Sequence, residues 1–242
     1  MKQQAKGRRG WLVAEALVIV SSILLAFTLD AWWDQAASRS DLRQELENVA
    51  AEIEGNRDRL LFQIDFMERM TSAGDSLLSV MEAAQEGSLI STPDTVLWLI
   101  NNYPTFNPSL GAVEAMIASG RLAAIGEPSL RRGLAGLHDR IADAVEEQTK
   151  ALTIYYDHVL PIVAEESNWP SRAEQEGNDW FWTGDRLPGR ALNTAGPVQI
   201  PVRRAWIVFQ GERLDQYRIS ASEMRALLAV LDGLKTTIGS VR

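Results

Sequence analysis

The sequence predicts an all-α protein. An N-terminal transmembrane helix is followed by a helical, bundle-like extracytoplasmic domain that carries a long irregular Trp/Pro-rich segment. Three observations predict it. Residues Trp11 to Leu29 form a nineteen-residue apolar run with a single charge, Glu15. Later stretches space their apolar residues three and four apart, the period of a helix with one buried face. Between residues 167 and 203 that period disappears among Trp, Pro and Gly. The chain divides into a basic cytoplasmic tail (1–10), a transmembrane helix (11–33), a helical domain (34–166), the irregular segment (167–203) and a C-terminal helical part packed on the domain (204–242).

The anchor comes first. A spanning helix needs about 20 mainly apolar residues to cross about 30 Å of hydrocarbon. The run from Trp11 to Leu29 is just long enough. Trp11 at one end and Trp32 and Trp33 at the other mark the two interfaces, where indoles favour the headgroup level. Lys2, Lys6, Arg8 and Arg9 precede the span without an acid among them. Positive-inside bias therefore holds Met1 in the cytoplasm and sends the residues after Asp34 across. A cleaved signal peptide fits less well, because Asp30-Ala31-Trp32-Trp33-Asp34 is a poor cleavage site. Arg8-Arg9 is read as a basic flank rather than a twin-arginine export signal.

Glu15 lies about one turn inside Trp11. Two readings of it stand side by side. In one it snorkels to the interface or pairs with Arg8 or Arg9. In the other it faces a partner helix, because Glu15, Ser22 and Ala26 share one helix face and small residues let helices approach closely in lipid.

Composition narrows the functions of the domain outside the membrane. The net charge is −8. Setting aside the +4 of the first ten residues and the −1 of Glu15 leaves −11 for the rest, which argues against nucleic acid as a partner. There is no Cys, so disulfides, thiolate metal sites and thiol nucleophiles are excluded. Eight Trp against two His favours packing and interface surfaces over acid–base chemistry.

Residues 38 to 86 predict one long amphipathic helix. Leu42, Leu46, Val49, Ile53, Leu60, Ile64 and Met67 supply its stripe, and no Pro separates it from the anchor. The pattern slips at Asn56-Arg57, with Gly55-Asn56 a weak point, which favours a bundle helix over a dimeric coiled coil. Thr92-Pro93-Asp94 predicts a capped start for a short helix from Val96 to Ile100. A turn-rich break with two prolines follows. A second short helix is expected from about Ser109 to Ser119, stopped by Gly120. Pro128 opens a longer helix to about Glu165, with a kink expected at Pro161.

The irregular segment holds Trp169, Trp180, Phe181 and Trp182. They read as a cap on the helical core, as anchors for a partner, or as contacts with the outer leaflet. Trp206-Ile207-Val208-Phe209 fits either a strand or an apolar helix turn. Ser220-x-x-Glu223 reads as a capping box that starts a final helix to about Ile238.

From Glu15 to Asp34 the chain resembles a family of bacterial single-pass membrane proteins of unknown function. The family's shared stretch has Gly-Glu-Ile, an aliphatic run with a central Gly, and a Leu-Ala-x-x-x-Asn-x-Trp end. Here Ala14-Glu15-Ala16, Ser22 and Leu25-Ala26-Phe27-Thr28-Leu29-Asp30-Ala31-Trp32 stand at those places. A second similarity runs from Asn107-Pro108 through Met116-Ile117-Ala118-Ser119-Gly120-Arg121-Leu122 to Ile125 and Leu130-Arg131. The two blocks cover under a quarter of the chain. The resemblance implies a signal anchor in a bacterial inner membrane with a helical periplasmic domain. It carries over no catalytic residue.

No pattern supports an enzyme. His138 and His158 stand alone, Glu146-Glu147 and Glu165-Glu166 are adjacent and do not face each other, and nucleotide-binding and nucleophile motifs are absent. The sequence predicts no catalytic residue, metal site or cofactor. The leading expectation is a non-enzymatic accessory or scaffolding subunit that stabilises a larger membrane complex, with energy-converting assemblies, respiratory or photosynthetic, as one host class. Its partners are other integral membrane protein subunits and membrane lipid. The partner-binding candidates are Glu15, Ser22, Ala26, Trp32, Trp33, Trp169, Trp180, Phe181 and Trp182. The alternative is an extracytoplasmic sensor with a small-ligand pocket lined by Trp180, Trp182 and Trp206.

Overall fold

The computed structural model describes residues 4–102, 105–162 and 197–241. Helix α1 (Gln4–Ala83) is one uninterrupted rod of 80 residues, about 120 Å long. No proline occurs before Pro93, so no position in α1 lacks a backbone donor. The N-terminal apolar segment and the first bundle helix are therefore the same helix.

From Leu42 onward α1 buries one face. Leu46, Val49, Ile53, Leu60, Ile64, Met67 and Met70 are buried at the helical spacing expected of them. The final helix, α6 (Arg204–Val241), runs back along α1 in the opposite sense. Lys235 meets Glu54 at 2.6 Å and Arg57 meets Asp232 at 2.7 Å, while Arg225 pairs with Glu68 and Arg218 with Asp75. These exposed pairs mark the antiparallel register and, screened by solvent, add little to stability.

Between α1 and α6 lie α2 (Asp94–Asn101), α3 (Gly111–Ala118), a 3-10 turn (Arg121–Ala124), α4 (Pro128–Ala135) and α5 (Leu137–Ile154). Gly120 adopts φ 72°, the left-handed geometry that ends α3 as its position predicts. The helix expected from Pro128 is split at Gly136, although Gly136 N–H still donates to Arg132 O at 3.1 Å. Beyond α5 a π turn (Tyr155–Val159) precedes Pro161, with Leu160 N–H donating to Tyr155 O. The wider turn fits a proline that has no N–H for the carbonyl four residues back.

Two buried clusters form the core. The one nearer the anchor joins α1, α3, α4, α5 and α6 through residues such as Val49, Met116, Leu134 and Leu231. The far one joins Leu77, Met81, Leu97, Tyr155, Val159 and Trp206.

Three expectations need correction. Thr92 does not cap α2; it is buried in strand β1 (Leu89–Thr92), and α2 starts behind Pro93 without a side-chain cap. Residues Val198–Pro201 are not irregular but form β2, paired antiparallel with β1 from Leu89↔Pro201 to Thr92↔Val198. Residues Trp206 to Phe209, which fitted either a strand or a helix turn, are helical. Ser220 is no cap: it lies mid-helix and fully buried, and α6 begins sixteen residues earlier. The stripe Trp206, Ile207, Gln210, Leu214, Tyr217 continues upstream of it without a break. Arg204 N–H instead donates to Glu86 Oε2 at 3.0 Å, so a glutamate from the far end of the bundle caps α6.

Glycines inside α1 give a direct test of the packing. A Cβ at Gly74 would lie 2.4 Å from Leu214 Cδ1 and 2.9 Å from Cδ2, and Leu214 is fully buried. At Gly55 a Cβ meets nothing within 4 Å. Overpacking costs about 1–3 kcal/mol, against a helix-propensity gain of about 1 kcal/mol. Gly55→Ala is expected to stabilise the protein by about 0.5–1 kcal/mol, and Gly74→Ala to destabilise it by about 1 kcal/mol. Urea titration of both variants in detergent micelles, followed by circular dichroism, should give shifts of opposite sign.

Candidate functional site

The predicted site residues on the described part of the chain cluster on the free half of α1. Leu17 to Leu29 are exposed, with Val18 at 65% and Phe27 at 68% of full exposure. Trp32 and Trp33 stay 64% and 70% exposed. Among the described residues no other element packs on this stretch, and its apolar window is wholly unburied. From Trp11 to Trp32 the helix rises about 32 Å, matching a hydrocarbon layer of about 30 Å.

The polar groups inside the stretch are satisfied by the helix itself. Ser22 Oγ donates to Val18 O at 2.7 Å, and Thr28 Oγ1 donates to Leu25 O at 2.8 Å. Neither hydroxyl therefore enters a dry environment unpaired. Glu15, Ser22 and Ala26 fall on one face, since 3.6 residues per turn brings positions seven and eleven apart back into line. All three are exposed among the described residues. Residues 34–41 continue the helix as an exposed neck, and the bundle begins at Leu42.

Trp169, Trp180, Phe181 and Trp182 lie outside the described residues. Trp206 is buried at 4% exposure in the far core, so it packs rather than lining an open site. An open groove of about 470 Å³ runs between α1 and α6, lined by Thr71, Ser72, Tyr217 and the Glu68–Arg225 and Asp75–Arg218 pairs. No Trp lines it.

His138 is exposed. His158 stacks on Phe209 with ring centroids 4.3 Å apart. Among the described residues, no three His, Cys, Asp or Glu side chains gather to hold a metal ion.

Two polar constructions were missed at the sequence level. Arg213 is fully buried on the inward stripe of α6. Its Nη1 donates to Ile100 O and its Nη2 to Asn102 O, both at 2.5 Å. These carbonyls belong to the C-terminal end of α2, where the helix leaves acceptors unpaired and carries partial negative charge. The guanidinium also lies over the rings of Tyr155 at 4.4 Å and Tyr217 at 5.2 Å. Burial pushes the Tyr217 phenol above its ordinary pKa, and the neighbouring Arg213 charge opposes that shift. No carboxylate pairs with Arg213 among the described residues, so a helix end and two aromatic faces replace the usual counterion. The available signal was an arginine in register with Trp206, Gln210 and Tyr217.

The second construction joins α1 to α3. Glu52 accepts from Ala112 N–H at 2.9 Å and Val113 N–H at 3.2 Å, capping α3 from another helix. Asn56 is no weak point. It is buried, donates to Ser109 O at 2.6 Å and accepts from Ser109 N–H at 2.8 Å. Asn56→Ala leaves both backbone groups without their partner. It is expected to cost about 2–4 kcal/mol, given about 1–3 kcal/mol for each unsatisfied buried group. Urea titration should show the lower midpoint, and amide exchange should report earlier opening of α3.

Fold and anchor together define the class: a mostly helical protein with one N-terminal helix long and apolar enough to cross a membrane. The chain matches no protein-family model, no curated protein and no solved structure.

Proposed function

We propose that the chain is a non-enzymatic, single-pass membrane protein acting as an accessory or scaffolding subunit of a larger membrane complex. The observation that carries this reading is the bare apolar half of α1, running without a joint into a packed bundle. Such a helix holds its bundle at a set height over the bilayer. Lys2, Lys6, Arg8 and Arg9 favour a cytoplasmic tail, which puts the bundle on the opposite side of a bacterial inner membrane. Glu15, Ser22 and Ala26 form the surface for a neighbouring helix, and Trp32 and Trp33 sit at the outer headgroups. The resemblance to single-pass membrane proteins belongs to this reading, as does an energy-converting host.

The test is a photocrosslinker at position 22 in intact membranes, followed by gentle extraction and mass spectrometry of the adducts. The reading expects adducts to other integral membrane proteins, which also copurify. Lipid adducts alone would sink the partner surface. A protein that ran alone and gained thermal stability with a small molecule would support a sensor instead.

A further inference from the structure

Helix α3 and the turn after it descend along α1 toward the anchor. The N-terminus of α3 is held at Glu52 by Ala112 and Val113. Past its C-terminal end, Arg121 reaches Glu45 at 3.0 Å and Asp41 at 3.4 Å. Asp41 lies eight residues beyond Trp33, which is about 12 Å along an unbroken helix. The corner from Ile117 to Ala124 is thus fixed at the anchor end of the bundle, one short step above the tryptophans.

The chemistry of this corner differs from the rest of the domain. Residues 115 to 126 read AMIASGRLAAIG, with no acid and a single cation, in a chain whose net charge is −8. That cation, Arg121, is engaged with Asp41 and Glu45. Ile117 is 45% exposed, and Ala118, Ala123 and Ala124 are exposed beside it. What this corner presents away from the bundle is its apolar side chains, Ile117, Ala118, Ala123 and Ala124, which suit the boundary between headgroups and water.

We infer that the 117–124 corner is a second membrane contact, seated on the lipid headgroup layer on the bundle's side. It depends on α1 being a membrane anchor. With the corner in place, the bundle is held at two points and cannot swing freely about the neck at 34–41. The partner is the lipid surface itself, and no second protein is required.

The absence of cysteine makes the test specific, because a single introduced Cys labels one site. The full chain carrying Ala124→Cys, Leu24→Cys or Ser79→Cys is labelled with a nitroxide. Each is reconstituted into vesicles of mixed zwitterionic and anionic phospholipid. Accessibility to oxygen and to a water-soluble nickel chelate is then read by power saturation. Leu24 should report hydrocarbon, and Ser79, exposed near the far end of α1, should report water. Ala124 is expected at headgroup depth, with nickel accessibility several-fold below that of Ser79. If Leu24 reads hydrocarbon while Ala124 matches Ser79, the corner proposal is overturned and the anchor stands. If Leu24 itself reads water, the anchor reading fails first. A label at Ala124 shielded from both reagents would mean that a second copy covers the corner, which also overturns the lipid contact.

Discussion

Replacing Arg213 with alanine is expected to cost about 3–5 kcal/mol, enough to unfold the bundle or leave it barely stable. The side chain is fully buried and closes the C-terminal end of α2 through Ile100 O and Asn102 O. Alanine removes the donors from both carbonyls and opens a void between Tyr155 and Tyr217. Each unsatisfied acceptor costs about 1–3 kcal/mol, and the void adds to that. Lysine keeps the charge, yet one ammonium cannot reproduce a planar fork that reaches two carbonyls and stacks on two rings. Arg213→Lys should therefore fall between wild type and alanine. Methionine fills the volume but donates nothing, so Arg213→Met should also lose stability. Urea titrations of the full chain in detergent micelles measure the order. If Arg213→Ala came within about 1 kcal/mol of wild type, water would be serving those carbonyls and the arginine would not be holding α2.

The second large effect belongs to the anchor. Val20→Arg combined with Leu24→Arg places two guanidinium groups near the middle of the exposed apolar stretch. Each costs about 2.5–3.5 kcal/mol at the centre of a spanning helix. The double variant is expected to move from the membrane pellet to the supernatant after alkaline carbonate extraction. Its bundle should keep its helicity and urea midpoint, because residues 17–33 are exposed and, among the described residues, lie outside the bundle. A protein that stayed in the pellet would refute the reading of this stretch as the membrane-holding segment. Orientation has its own check. A reporter fused after Arg242 should behave as non-cytoplasmic, and exchanging Lys2, Lys6, Arg8 and Arg9 for glutamates should weaken or invert that placement.

Both predictions bear on what was legible beforehand. The apolar helix of spanning length was readable from Trp11 to Trp33 because hydropathy is a sum over neighbouring residues and needs no knowledge of the fold. The stripe of α1 and the part of α6 beyond Ser220 were readable for a related reason, since a helix that packs repeats its apolar face every three or four positions. Gly120 was readable as a helix stop and indeed takes the left-handed geometry.

The misreadings share a different cause. Ser220-x-x-Glu223 matches a capping box letter for letter, yet Ser220 is buried mid-helix because the stripe upstream of it also packs. Thr92 looks like a helix cap but pairs with Val198, more than a hundred residues away. Asn56 looks like a weak point but is the clamp on Ser109.

What the sequence determined alone was therefore one-dimensional: a greasy segment of spanning length, a basic flank, and helices with one apolar face. Tertiary structure decided the rest. It chose which glutamates cap α3 and α6, which strand completes the β1–β2 pair, and how Arg213 is held in the core by the end of α2 and two aromatic faces. These features satisfy backbone donors and acceptors with side chains from distant segments, and local spacing carries no record of which distant segment will arrive.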